Sequence, residues 1–381
     1  MSSTPARPAL RALLVALAAF VMLGLIDGAL GVAWPTMRTV FDRDLSELGL
    51  LLAAGSTGYL TASLAYGWLH RRAGTGLLLG VGTVLLLVGV TGIALAPAWA
   101  ALPVSAVVLG IGGGLVDTGM NAHAALAFDV GSINLLHACY GIGATLGPVV
   151  ITVSLVSTNT WRAGYLFMAA IQAIAAMAVW RRRHQWAGAE PDLTGSDDAG
   201  GDRMALIFHL LLFFLYTGVE VGVGQWAFTL LSEGRGIGTA AAGVWVAVYW
   251  GGLTVGRLLF GVAGGRVAPT SALHGSMAVA LVGLGILWLD PWGLGVLGLP
   301  VAGLGLAAVF PMLVTLTPAR IGLTRSTRSM GYQLAAANLG AAVLPWTLGL
   351  VAQARGLEAL GPGLFVVGVL LATVHLLAEL R

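Results

Sequence analysis

Apolar runs long enough to cross a bilayer follow one another along almost the whole chain, separated by short polar joints. The first reaches about residue 33, and others cover about 48–69, 75–96, 102–128, 132–156 and 162–181. A polar stretch from Arg182 to Arg203 interrupts the pattern, and six further runs follow at about 204–231, 238–263, 270–289, 293–316, 326–352 and 362–379. About 20 apolar residues span the hydrocarbon core as a helix, and a helix satisfies its own backbone where no water can. The pattern therefore predicts an all-α integral membrane protein of twelve transmembrane helices in two pseudo-symmetric six-helix bundles. The bundles are residues 1–181 and 204–381, joined by a linker over 182–203. The first run follows Arg7 and Arg11, as in a signal peptide, but it has spanning length and lacks a cleavage site, so it reads as the first helix.

Composition narrows the reading. Hydrophobic residues make up 58% and charged residues 9% of 381, too little polar surface for a soluble globule of this length. The net charge of +3 is carried by arginines alone, with no basic face to track phosphates, so no nucleic-acid partner is expected. With the N-terminus inside, 13 arginines fall on the inner side (7, 11, 71, 72, 181, 182, 183, 203, 266, 320, 325, 328 and 381) and 5 on the outer side (38, 43, 162, 235 and 355). That bias predicts both termini in the cytoplasm and a multi-pass protein of a bacterial-type inner membrane. Cys139 stands alone in an apolar run and reads as a packing residue, and no metal-ligand spacing occurs. No nucleophile, base and orienter set suggests an enzyme, and the absence of lysine rules out a Walker A sequence. The expected energy source is an ion gradient with no cofactor, and the expected unit is a monomer in lipid.

Candidate chemistry lies in the few polar residues inside the runs. The stretch Gly110–Phe128, GIGGGLVDTGMNAHAALAF, places Gly110, Gly114, Asp117 and Asn121 on one helix face, since steps of 4, 3 and 4 return to the same side. A carboxylate at mid-bilayer costs roughly 2.5–3.5 kcal/mol, so this face is expected to line a water-filled path, with glycines admitting another backbone. Asp27 and Glu220 are the other acids well inside runs, away from their ends. Asn134, His137 and Gly141 share a face of the fifth run, where His137 fits a proton relay or a gate-capping residue equally. Arg257 snorkels or closes an inner gate against an acid such as Asp129, and Asn338 is the polar residue of the eleventh run. The two halves echo one another: GATLGP at Gly143–Pro148 matches GAAVLP at Gly340–Pro345, with a weaker glycine echo at Gly303 and Gly305. Repeated halves predict a path at their interface, opened alternately by rocking.

Several motifs together resemble the major facilitator superfamily, in particular its fucose-permease-like branch. They are Asp27, the Gly-rich GxGGGxxDxxxN from Gly110 to Asn121, NxxHxxxGxGAxxGP from Asn134 to Pro148, YxGxExxxGQW from Tyr216 to Trp226, the YWGGLxxGR-like run Tyr249–Arg257, and NLGxxxLPW from Asn338 to Trp346. The resemblance covers nearly the whole chain. It departs where the family reads Gly-x-x-x-Asp-Arg-x-Gly: Gly67–Gly74 is GWLHRRAG with Arg71 in place of the acid, and Gly261–Arg266 is GVAGGR with Gly265 there. The resemblance implies proton coupling by Asp27 and Asp117, since a carboxyl group in low dielectric can exchange a proton near neutral pH. It also implies a polyhydroxylated solute bound by Asn121, Tyr216, Glu220, Gln225 and Asn338, with Trp226 as an apolar plate. The expected function is sugar or polyol uptake with protons. Because GATLGP also fits a pattern of drug/proton antiporters of the superfamily, the alternative is a proton-coupled exporter of amphipathic compounds.

Overall fold

A computed structural model of the chain describes residues 7–128, 130–186, 203–263, 268–321 and 323–380. The described residues contain helices and no strand. In chain order they are α1 (Arg7–Phe41), α2 (Leu48–Leu95), α3 (Ala101–Ala127), α4 (Val130–Thr158), α5 (Trp161–Arg181), α6 (Arg203–Thr229), α7 (Thr239–Ala263), α8 (Pro269–Leu289), α9 (Gly298–Leu306), α10 (Val309–Ile321), α11 (Leu323–Arg355) and α12 (Leu360–Glu379).

Among the described residues, eleven helical runs have the length and apolarity to cross a membrane. One of them counts twice. At 1.5 Å per residue, the 48 residues of α2 extend about 70 Å, more than twice the ~30 Å hydrocarbon core. Its register is broken at Gly74, whose φ of 73° lies in the left-handed region that favours glycine. The GWLHRRAG stretch thus ends one crossing and Gly74 starts the next, which makes twelve crossings; the first helix runs on to Phe41, beyond the predicted end near residue 33. The tenth crossing runs through α9 and α10, with a local tightening at Ala307–Ala308, where the Ala307 N–H bonds to Leu304 O. The acidic linker residues Glu190, Asp192, Asp197, Asp198 and Asp202 lie outside the described residues, as do Asp129, Gly265 and Arg266.

The chain forms two compact units. One comprises residues 1–29 and 54–191, the other residues 30–53 and 192–381. The second unit therefore includes the last third of α1, where Arg38 donates to Glu233, and the start of α2.

Glycine contacts show that the two units repeat one backbone scaffold. A Cβ on Gly143 of α4 would lie 2.0 Å from the Val21 carbonyl oxygen of α1, and one on Gly340 of α11 would lie 2.0 Å from that of Phe214 of α6. Gly58 meets Val107 O and Ile111 N, while Gly252 meets Pro300 O and Leu304 N. Gly112 meets the backbone of Leu86, as Gly305 meets that of Ala280; Gly89 meets Leu109, as Gly283 meets Ala302. In all these pairs the second residue follows the first by nearly the same number of positions. The contacts exist because helices in lipid gain little from apolar burial alone and associate by close backbone approach at small residues.

Gly143→Val and Gly340→Val are accordingly expected to destabilise their units by about 1–3 kcal/mol or more through overpacking. Gly331→Ala, where an added Cβ meets nothing within 4 Å, serves as the neutral control. Thermal unfolding of the detergent-solubilised protein, followed by size-exclusion elution, reads the difference.

Candidate functional site

The first unit gathers its polar residues around two carboxyl groups. Asp27, in the middle of α1, is exposed and accepts a hydrogen bond of 2.9 Å from the Tyr140 hydroxyl on α4. Asp117 on α3 is half-buried, and both its oxygens are engaged. The Tyr59 hydroxyl of α2 donates to Oδ2, and the Asn121 amide donates to Oδ1 at 2.9 Å and to the Asp117 carbonyl at 3.0 Å. Beside them, Thr118 donates to Ser63 at 3.1 Å. Asp27 and Asp117 lie within electrostatic range of each other, and His137 lies within range of Asp117. The His137 ring is exposed and meets Phe20 edge-on at 5.7 Å, and Asn134 is exposed one turn earlier.

Helix spacing accounts for this arrangement. Gly110 and Gly114 share a face with Asp117, and on that face α2 approaches closely: their Cβ atoms would lie 2.0 Å from Gly55 O and 2.5 Å from Tyr59 O. The glycine stripe expected to line a path is therefore a seam between α3 and α2. It brings the Tyr59 phenol to the carboxylate, and only Asp117 and Asn121 at its end stay partly accessible.

The second unit holds an ion pair. Glu220 of α6, 8% exposed, faces Arg257 of α7, whose Nη2 donates to Oε1 at 3.2 Å and to Oε2 at 3.4 Å. The same Nη2 lies 3.4 Å from the Tyr216 hydroxyl, and the buried Tyr249 hydroxyl donates to the Glu220 carbonyl at 2.8 Å. Phe310, in the first turn of α10, stands 6.0 Å from the Tyr216 ring, and a Cβ on Gly256, next to Arg257, would lie 2.4 Å from the Ala307 side chain.

Placed on the repeated scaffold, the chemistry of the units differs. Asp27 and Glu220 are separated by the same offset as Val21 and Phe214, so they occupy equivalent places. At that offset Asp117 corresponds to Phe310, and Arg257 corresponds to Ser63 at the offset of 194 that relates Gly58 to Gly252. The first unit holds two acids with phenol donors; the second holds one acid with a guanidinium.

Three sequence expectations require correction. Arg257 does not snorkel: it pairs with Glu220, because α6 and α7 pack with these side chains facing each other, and Asp129 lies outside the described residues. Trp226 offers no plate: its side chain is fully buried, its indole N–H donates to Pro345 O at 2.8 Å, and its ring fills the space beside Gly349. Asn338 turns back on its own helix, donating to Leu334 O at 2.9 Å. Gln225 and Tyr216 are also buried, at 5% and 1% exposure. Sequence reasoning missed Tyr59, Tyr140 and Tyr249 as partners of the acids. Each bonds across helices to a residue far along the chain, so no local spacing marks it.

The sequence profile of the Major Facilitator Superfamily matches residues 16–345. The glucose/mannose transporter GlcP of Bacillus subtilis is 22% identical over 350 residues, which cover 87% of this chain and 85% of that protein. The glucose/galactose transporter of Brucella abortus is 25% identical over 365 residues, covering 89% and 87%. Bypass of stop codon protein 6 of Saccharomyces cerevisiae is 24% identical over 64% of this chain, and the chain spans about half, 54%, of that relative's length. Among solved structures, a D-xylose-proton symporter superposes with a TM-score of 0.76 at 15% identity, covering 95% of this chain and 97% of the other. A bacterial homologue of the lysosomal transporter Spinster gives 0.78 at 15% identity, covering 99% and 98%. At these identities the structural likeness speaks for the fold alone.

Proposed function

Because the chain belongs to the Major Facilitator Superfamily, we propose that this multi-pass membrane transporter carries a sugar or related polyol across the inner membrane of a bacterial-type cell, coupled to protons, by alternating access. The observation that carries the reading is the pair Asp27 and Asp117, two mid-span carboxyl groups held by Tyr140 and Tyr59 within electrostatic range of each other. An exposed carboxyl in the middle of a spanning helix cannot face acyl chains, so Asp27 meets water. A proton shared between neighbouring carboxyl groups leaves a single negative charge to compensate.

Asp27, exposed and bonded to the Tyr140 phenol, exchanges the proton. Asp117, fixed by Tyr59 and Asn121, orients the solute and takes part in coupling, with His137 beside it as relay. The Glu220–Arg257 pair with Tyr216 supplies donors and acceptors to sugar hydroxyls when its contacts open. Glucose and related hexoses are the first candidates, since transporters of Bacillus subtilis and Brucella abortus that the chain resembles over most of their length are named for them. The arginine bias supports an orientation with both termini in the cytoplasm.

The test is uptake into proteoliposomes under an imposed pH gradient, with a panel of labelled hexoses, pentoses, polyols and amphipathic dyes. Gradient-driven accumulation of a hexose or polyol, collapsed by a protonophore, is expected. Accumulation of dyes without any sugar flux replaces this reading with the proton-coupled exporter.

A further inference from the structure

At one end of the second unit, away from the Glu220–Arg257 pair, α8 and α12 bring together His274, His375 and Glu379. Their ligand atoms all lie within 4.8 Å of one another. His274 Nε2 is 2.7 Å from Glu379 Oε2, and His375 Nε2 is 3.3 Å from Glu379 Oε1. The two imidazoles lie 4.9 Å apart, centroid to centroid. His375 and Glu379 are one helical turn apart on α12, a spacing that points both side chains the same way, and the third group comes from a different helix. His375 is held in place, its side chain 1% exposed, whereas His274 and Glu379 keep 44% and 24% of theirs accessible, so an ion here would have a route in and room for water.

We propose that His274, His375 and Glu379 form a binding site for a divalent transition-metal ion, with zinc as the first candidate. Two imidazoles and a carboxylate suit zinc, nickel, cobalt or copper, whereas magnesium and calcium take oxygen ligands. Around a tetrahedral ion with ligand bonds of about 2.0–2.1 Å, ligand atoms stand roughly 3.3 Å apart, which the His375–Glu379 edge already matches. The carboxylate now bridging the two rings moves its oxygen onto the ion, and each ring turns a lone pair inward.

Among the described residues, a charged neighbour opposes the ion. Arg320 Nη2 lies 3.6 Å from Glu379 Oε1 and 3.4 Å from His375 Nδ1. This guanidinium repels a divalent ion and draws on the same carboxylate, so it lowers the affinity and must yield a little when the ion binds. A purely structural polar cluster would lose a partner without Arg320; a metal site would gain affinity.

The experiment uses the full chain, purified by a tag without histidine, with zinc and, as control, magnesium. Equilibrium dialysis followed by metal analysis at neutral pH is expected to give about one zinc per chain and no retained magnesium. His274→Ala and Glu379→Gln should each weaken zinc binding about 10–100-fold, and Arg320→Gln should tighten it. Wild-type protein without stoichiometric zinc, or zinc binding unaffected by His274→Ala and Glu379→Gln, overturns the proposal. So does weaker binding in Arg320→Gln protein that elutes like wild type. Because the readout is bound metal, the result is independent of the transport assignment.

Discussion

Proteoliposomes carrying Asp27→Asn protein are expected to lose gradient-driven accumulation of the solute while still equilibrating it down its own concentration gradient. One proton crossing with one solute at ~100 mV makes about 2.3 kcal/mol available, which corresponds to roughly 50-fold accumulation. Asparagine keeps the shape of Asp27 and can accept from Tyr140, yet it cannot take up a proton. The accumulation ratio should therefore fall from that value to about one. Asp117→Asn is expected to impair both coupling and solute affinity, because the carboxylate accepts from Tyr59 and Asn121 at once and its loss releases both donors. Counterflow exchange, which needs no net proton movement, separates the two effects. Proton-driven accumulation at the wild-type level in both variants would remove these acids from the mechanism.

Arg257→Met should produce the largest loss of stability among single polar substitutions. It leaves Glu220, 11% side-chain exposed, without its guanidinium. Removing one partner of a buried pair costs about 3–5 kcal/mol, and the partial exposure of Arg257, 24%, places the expected cost at the lower end. Glu220→Gln alone leaves Arg257 with an amide and the Tyr216 hydroxyl, a smaller loss. The double variant Glu220→Gln with Arg257→Met is expected to recover a large part of the thermal stability, because no lone charge then stays in the bundle. Transport should not recover with it, since the donors and acceptors for solute hydroxyls are gone. Thermal unfolding and uptake of the three variants decide the matter, and additive losses in stability would contradict direct coupling of the pair.

The twelve crossings were legible in the chain because each is a physical requirement on sequence: a segment in hydrocarbon must be apolar and about 20 residues long. The duplication was legible for a similar reason. GATLGP and GAAVLP keep glycine where helix backbones meet, and in the structure Gly143 and Gly340 make the same approach to Val21 and Phe214. Asp27, Asp117 and Glu220 also stood out, since a carboxyl inside a spanning run is costly unless it has work to do.

Side-chain partners were a different matter. The glycine stripe leading to Asp117 fits a path lining and a helix seam equally well, because both need small residues on one face; the packing of α2 against α3 decides for the seam. Arg257 near the end of its run fits snorkelling as well as an ion pair, until α6 and α7 set Glu220 within 3.2 Å. Trp226 in a polar motif suggests a sugar plate, whereas its neighbours enclose it completely.

Sequence by itself thus determined how many times the chain crosses, where the crossings fall, that they repeat, and which acids lie within them, because hydrophobicity and helix length act locally and leave local traces. Tertiary structure alone decided that phenols hold the acids of the first unit, that an arginine neutralises the acid of the second, and that two histidines and a glutamate meet between α8 and α12. Those pairings join residues up to 113 positions apart and depend on the angle and depth at which helices pack, which no spacing along a single helix records.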